Sequence, residues 1–182
     1  QTAREILALP RLGAALARFP APDGGALFAF DREGEPAAVC FPSAGRLLLW
    51  KDGRFEDAVW KPPGGVLALA ATGPGALSFL VLREASVWRV DVSPAGEVSL
   101  PLPGVGPPAL LRPDGTVVWG AGNTLFFRGS EGGVRQTGLP EAIHDLNQLT
   151  GDWIRARLAD RQVAVRFPVG APQVFELPEV SP

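Results

Sequence analysis

The chain has 182 residues, 46% of them apolar, and a formal net charge of −2. That is enough apolar material for one domain with a real core, which excludes a disordered chain. The balanced charge lacks the basic footprint that nucleic-acid binding needs, and no apolar run of about 18 residues is present to span a membrane as a helix.

In chain order, Glu5-Ile-Leu-Ala-Leu9 reads as a leading strand closed by Pro10. It resembles the last strand of a repeat with no repeat before it, as a strand that closes a ring would. Residues 10–19 fit a short helix through Leu12, Leu16 and Phe19. Pro22-Asp-Gly24 is a turn that opens the second strand of a repeat, over Ala26–Phe30. Next comes an apparent insertion of roughly ten residues, around Asp31–Pro36 and Ala38–Pro42, before a strand at Arg46–Trp50.

That last strand is the first of four. The others begin at Ser86, Asn123 and Arg161, so the offsets are 40, 37 and 38 residues. Each has apolar residues at its third and fifth positions: Leu48/Trp50, Trp88/Val90, Leu125/Phe127 and Val163/Val165. A period of two keeps those side chains on one sheet face. A proline follows 17 residues after each start, at Pro63, Pro103, Pro140 and Pro178. Lacking a backbone donor, proline fits the exit from an outermost strand. The preceding strands open after Gly73-Pro-Gly75, Pro113-Asp-Gly115 and Thr150-Gly-Asp152. Val66, Val105, Ala142 and Val180, just past the prolines, are placed to start each next unit.

A period near 40 with several short strands per unit predicts an all-β, β-propeller-like domain of four antiparallel repeats. The repeats run approximately over 11–63, 64–103, 104–140 and 141–178, with the leading strand at 5–9, as a single domain over 1–182. The stretches "RFPAPDGGALFAF" (18–30) and "LLRPDGTVVWG" (110–120) resemble the Ser-Pro-Asp-Gly strand pairs of TolB-type and WD40-like propellers. Ala21 and Arg112 stand where those motifs carry Ser. The resemblance implies the fold and assigns no functional residue.

Candidate sites are few. Asp31, Glu33 and Glu35 form an acidic rim insertion, read first as an exposed hairpin turn and, against that, as a Ca²⁺ site whose spacing does not match an EF-hand loop. Trp153, Arg155 and Arg157 share one face of a strand, and Ile154, Ala156 and Leu158 the other. The Arg face is either solvated, with Asp152, Asp160 or Glu176 as local partners, or a contact surface, since Arg and Trp are favoured there. Trp60 with Lys61, placed on an outer strand, is the best candidate for an exposed aromatic. Trp50, Trp88 and Trp119 read as core. The single histidine, His144, adjoins Asp145, but neighbours on a strand point to opposite faces, so no dyad is expected. The lone Cys40 reads as a small core residue, which leaves no intrachain disulfide. No catalytic residue, metal site or cofactor is expected.

The function these features favour is a non-catalytic protein-interaction or scaffold module in an extracytoplasmic, cell-envelope assembly. The alternative is a propeller that binds a glycan or small ligand through exposed Trp and the acidic insertion. A chain that begins at Gln1 fits a mature exported protein or an excised piece of a longer one. The expected location is thus periplasmic or secreted, with the cytoplasm as the alternative. A protein partner is expected and nucleic acid is not. A monomer is favoured over a homodimer formed through unpaired edges. Fifteen Arg against two Lys, without Met or Tyr, give a thermophile-like composition.

Overall fold

A computed structural model describes residues 25–129, 132–148, 153–166 and 173–177, together with the backbone of 5–8 and 17–20. Among these residues there is no α-helix, only a single 3-10 turn at Pro42–Ala44. The fold is all-β, built from four antiparallel four-stranded sheets, the blades of a β-propeller. Blade one is β3 (Leu27–Phe30), β4 (Pro36–Phe41), β5 (Arg46–Lys51) and β6 (Arg54–Asp57). Blade two is β7 (Val66–Gly73), β8 (Ala76–Arg83), β9 (Ser86–Ser93) and β10 (Gly96–Pro101). Blade three is β11 (Ala109–Leu111), β12 (Val117–Ala121), β13 (Thr124–Arg128) and β14 (Val134–Gly138). Blade four is β15 (Asp145–Gln148), β16 (Trp153–Arg157), β17 (Gln162–Arg166) and β18 (Gln173–Leu177). Strands pair in chain order within each blade.

The four repeated strands are the third strand of each blade, β5, β9, β13 and β17, as the alternation predicts. The turns follow local chemistry. Asp52 and Gly53 both have positive φ between β5 and β6, which is the backbone a two-residue hairpin requires. Glu84 and Ala85 adopt the same signs between β8 and β9 without a glycine.

Three expectations need correction. The apparent insertion in repeat one is β4, the second strand of its blade, and Leu27–Phe30 is the first strand rather than the second. β4 is buried along nearly its whole length. With both faces covered it shows no alternation, so it reads as an apolar run instead of a half-exposed strand. Next, β6 ends at Asp57, well short of Pro63, so Trp60 and Lys61 follow the outer strand instead of lying on it. Val66 does start its blade, whereas Val105 and Ala142 precede β11 and β15; Val180 lies outside the described residues. Finally, Glu5–Ala8 (β1) pairs with Ala17–Pro20 (β2) as a two-stranded sheet. The leading strand therefore completes no four-stranded blade, and residues 17–20 are strand where a helix was expected; 10–16 lie outside the described residues.

The chain divides into two compact units, Gln1–Leu102 and Pro103–Pro182. In the first, alternate residues of blades one and two interlock: Cys40 and Leu47 meet Leu69, Phe79 and Val81. Phe79 is fully buried, which alone contributes about 1.5–3 kcal/mol. On the opposite face of blade two, the fully buried Ser78 hydroxyl donates to Asp91, lies 3.2 Å from Thr72 Oγ1, and shares Asp91 with Arg89. In the second unit, Val118, Leu125 and Phe127 of blade three pack with Ile154, Val163 and Val165 of blade four. Gly120 sits in that seam because a Cβ there would lie 3.0 Å from Ile143.

Candidate functional site

Within the first unit, a cleft of about 710 Å³ lies between blades one and two. Its walls come from one end of the sheets: the β3–β4 turn, the end of β5, the Gly73-Pro74-Gly75 turn and the end of β9. Its floor is interblade core. Leu49, Trp60, Ala71, Leu77 and Val92 line the cleft and also pack in or against the hydrophobic cluster. The Trp60 ring meets Phe79 edge-on at 5.4 Å. It is thus half-buried, not the exposed aromatic the sequence suggests, because the loop after β6 lays it against β8. Lys61 is exposed and is not part of the lining.

The mouth carries the acidic turn. Asp31 N–H donates to the Glu35 carbonyl at 2.9 Å, and Gly34 N–H to the Asp31 carbonyl at 3.2 Å. The Asp31 side chain accepts from Glu35 N–H at 2.8 Å, so its carboxylate is built into the turn. Such side-chain-to-backbone bonds fix a loop without help from a metal. Among the described residues, no three His, Cys, Asp or Glu side chains are grouped to hold a metal ion. The turn is an exposed hairpin loop, and Asp31, Glu33 and Glu35 all line the cleft. Hence the structure brings to one cavity the acidic insertion and Trp60, which the ligand-binding alternative invoked together.

It adds Arg32 in the same turn and Lys51 at the end of β5, which the sequence reading missed, and Trp50, which it read as core and which is half-buried on the lining. Trp50 packs edge-on against Phe55, ring centres 4.8 Å apart. Arg32 and Lys51 are exposed. Only the sequence Trp50-Lys51, at a strand end facing a turn, signalled them.

The second candidate surface is in blade four. β16 alternates as expected: Ile154 and Ala156 are buried, Trp153 and Arg155 half-buried, Arg157 exposed. Trp153 is covered by Phe175, ring centres 5.4 Å apart, and by the Arg166 guanidinium 5.9 Å from its ring. Across the ladder, Arg157 opposes Asp145 and Arg155 opposes Asn147. The Asn147 amide donates to Asp145 at 2.9 Å. Among the described residues neither Arg155 nor Arg157 has an ion pair. Glu176, an anticipated partner, binds Arg161 instead, and Arg161 also donates to Glu141 at 2.7 Å. Those hydrogen bonds raise the Arg161 pKa, and the one from Arg161 holds Glu141 below the usual carboxylate range. Asp160 serves only through its backbone N–H, which reaches Glu141; Asp152 lies outside the described residues.

Neither Cys40 nor His144 lines the cleft. Cys40 is fully buried in β4, and burial pushes its thiol pKa up to about 11. His144 is exposed, its N–H bonded to the Arg157 carbonyl. No helix among the described residues is long and apolar enough to cross a membrane.

No family description and no curated protein matches the sequence. Among solved structures, the chain is similar to catalytically inactive H270A virginiamycin B lyase from Staphylococcus aureus, determined with Quinupristin, at a TM-score of 0.53 and 14% identity. The match covers 97% of this chain and 63% of the lyase chain. At that identity the likeness concerns the fold alone, in agreement with the propeller blades.

Proposed function

We propose that this protein is a non-catalytic binding module whose ligand site is the cleft between blades one and two. The observation that carries this reading is the meeting of Trp60 with the Asp31–Glu35 turn on one cavity. About 710 Å³ lies in the range of small-molecule sites, which are mostly apolar with a few polar groups at the edge. The one thiol is buried, with its pKa raised to about 11, and neither it nor the one imidazole lines the cleft; both fit binding better than catalysis. A panel of oligosaccharides and amphiphilic small molecules, followed by tryptophan fluorescence, tests it. A saturable change that is lost in Trp60→Ala, and also in Glu35→Arg at the exposed mouth, supports the reading. A flat response across the panel, with the variants indistinguishable from wild type, overturns it.

A second reading, a protein-interaction surface on blade four, is favoured by Arg155 and Arg157, which share a strand face with Trp153 and among the described residues have no ion pair. Desolvated Arg and aromatic side chains dominate many interfaces. Under it, Arg155→Ala/Arg157→Ala releases a captured partner, and retention of every partner removes the claim. The monomer this reading assumes is checked by light scattering: a mass near 19.2 kDa supports it, and twice that mass points to paired edges.

A further inference from the structure

Taking the cleft as a ligand site, we infer that its occupant is a zwitterion on an apolar body, the chemistry of a short hydrophobic peptide. Three features converge on this. First, the floor is interblade core, with Leu49, Leu77, Val92 and the Trp60 ring facing the cavity. Such a surface favours an aliphatic or aromatic body over a fully hydroxylated one.

Second, the mouth carries both signs of charge. Glu33 and Glu35 stand with Arg32 and Lys51 on the same lining. Several other arginines are matched locally, as in Arg46–Asp57, Arg54–Glu56 and Arg89–Asp91. Among the described residues, neither the four mouth side chains nor Asp31, which lines the same mouth and accepts from Glu35 N–H, has an ion pair. Opposite charges that share a cleft yet do not meet leave room for a ligand to bridge them. An ammonium would lie against the glutamates and a carboxylate against Lys51 or Arg32.

Third, the turn that presents the glutamates is held by the Asp31–Glu35 backbone and side-chain bonds. The negative pole is therefore in place before a ligand arrives, which lowers the ordering cost of binding. The cleft volume favours a peptide of a few residues over a single amino acid, because both termini must reach the rim while apolar side chains fill the floor.

Calorimetry on the full chain tests this with phenylalanyl-leucine, its N-acetyl form, its C-amide form, the doubly capped form and free phenylalanine. The expected result is saturable binding of the free dipeptide, with each cap weakening it at least about tenfold. Glu33→Gln/Glu35→Gln should erase the penalty of acetylation and leave that of amidation. Arg32→Gln/Lys51→Gln should do the converse. These side chains are exposed, so the variants keep the fold. Equal binding of capped and uncapped peptides, sensitive to Trp60→Ala, overturns the charge assignment and leaves the cleft reading intact. A penalty for only one cap overturns the zwitterion, and free phenylalanine outbinding the dipeptide overturns the peptide. If no member of the series binds, the inference is overturned, and the panel above separately decides the cleft reading.

Discussion

Gly65 leaves no room for a side chain. It has φ of +73°, and a Cβ built there would lie 2.5 Å from the carbonyl oxygen of Leu82. The same pair is joined by the Leu82 N–H, which donates to the Gly65 carbonyl at 2.8 Å. Gly65→Ala thus carries two costs. The left-handed conformation costs about 1–2 kcal/mol for a residue with a Cβ. Relieving the contact must move the turn before β7 against the β8 backbone and weakens that hydrogen bond, for about another 1–2 kcal/mol. The sum is about 2–4 kcal/mol, or roughly 4–16 °C in Tm for a chain of this size. Gly53 supplies the control, with φ of +81° and nothing within 4 Å of its added Cβ. Gly53→Ala should therefore cost only the first part. The assay is urea unfolding followed by tryptophan fluorescence, with Tm by calorimetry. If Gly65→Ala loses no more stability than Gly53→Ala, the contact with Leu82 does not constrain the fold and the reasoning fails.

Other outcomes follow from the same geometry. Ala85 has φ of +64° in the β8–β9 turn, so Ala85→Gly should relieve strain and raise stability by up to about 1 kcal/mol, net of the extra chain entropy of glycine; an unchanged or lowered urea midpoint contradicts this. The hydrogen bonds from Arg46 and Arg161 lower the pKa values of Asp57 and Glu141. Folded values below the unfolded ones, about 3.9 and 4.3, mean a stabilisation present above those values and lost as pH falls through the folded ones. Wild type should therefore lose stability more steeply below about pH 4 than Asp57→Asn/Glu141→Gln, as read from urea midpoints at pH 7 and pH 3. With its thiol raised to about 11 and fully buried, Cys40 should resist a disulfide reagent at pH 8 until the chain is unfolded. Prompt reaction of the native protein would show that β4 opens.

The blade architecture was legible where its causes are local. Third strands carry apolar residues two apart because at least one of their faces is buried, and Pro-Asp-Gly favours a turn through its own backbone preferences. First strands were harder to find, since β11 is three residues long and β15 carries Asp145, Asn147 and Gln148. Pro36–Phe41 escaped notice for the opposite reason: burial on both sides removes the alternation that identifies a strand. The candidate site was half legible. Its acids and Trp60 stood out as types out of place, but what joins them is the packing of β3 against β7, which local pattern does not encode. Trp60 lies against Phe79 because of that packing, so its half-burial was not readable from its flanking residues.

The cleft is assembled from two kinds of material that answer to different demands. Its edge belongs to short hairpin loops whose side chains face solvent and support nothing behind them. Its base is shared with the core, where each side chain also holds two blades together. Changes of ligand preference by exchange of Arg32, Glu33, Glu35 or Lys51 are therefore nearly independent of folding, whereas a change at Leu77 or Trp60 alters both at once. A chain built this way can diversify what it recognises one rim residue at a time, without renegotiating its scaffold.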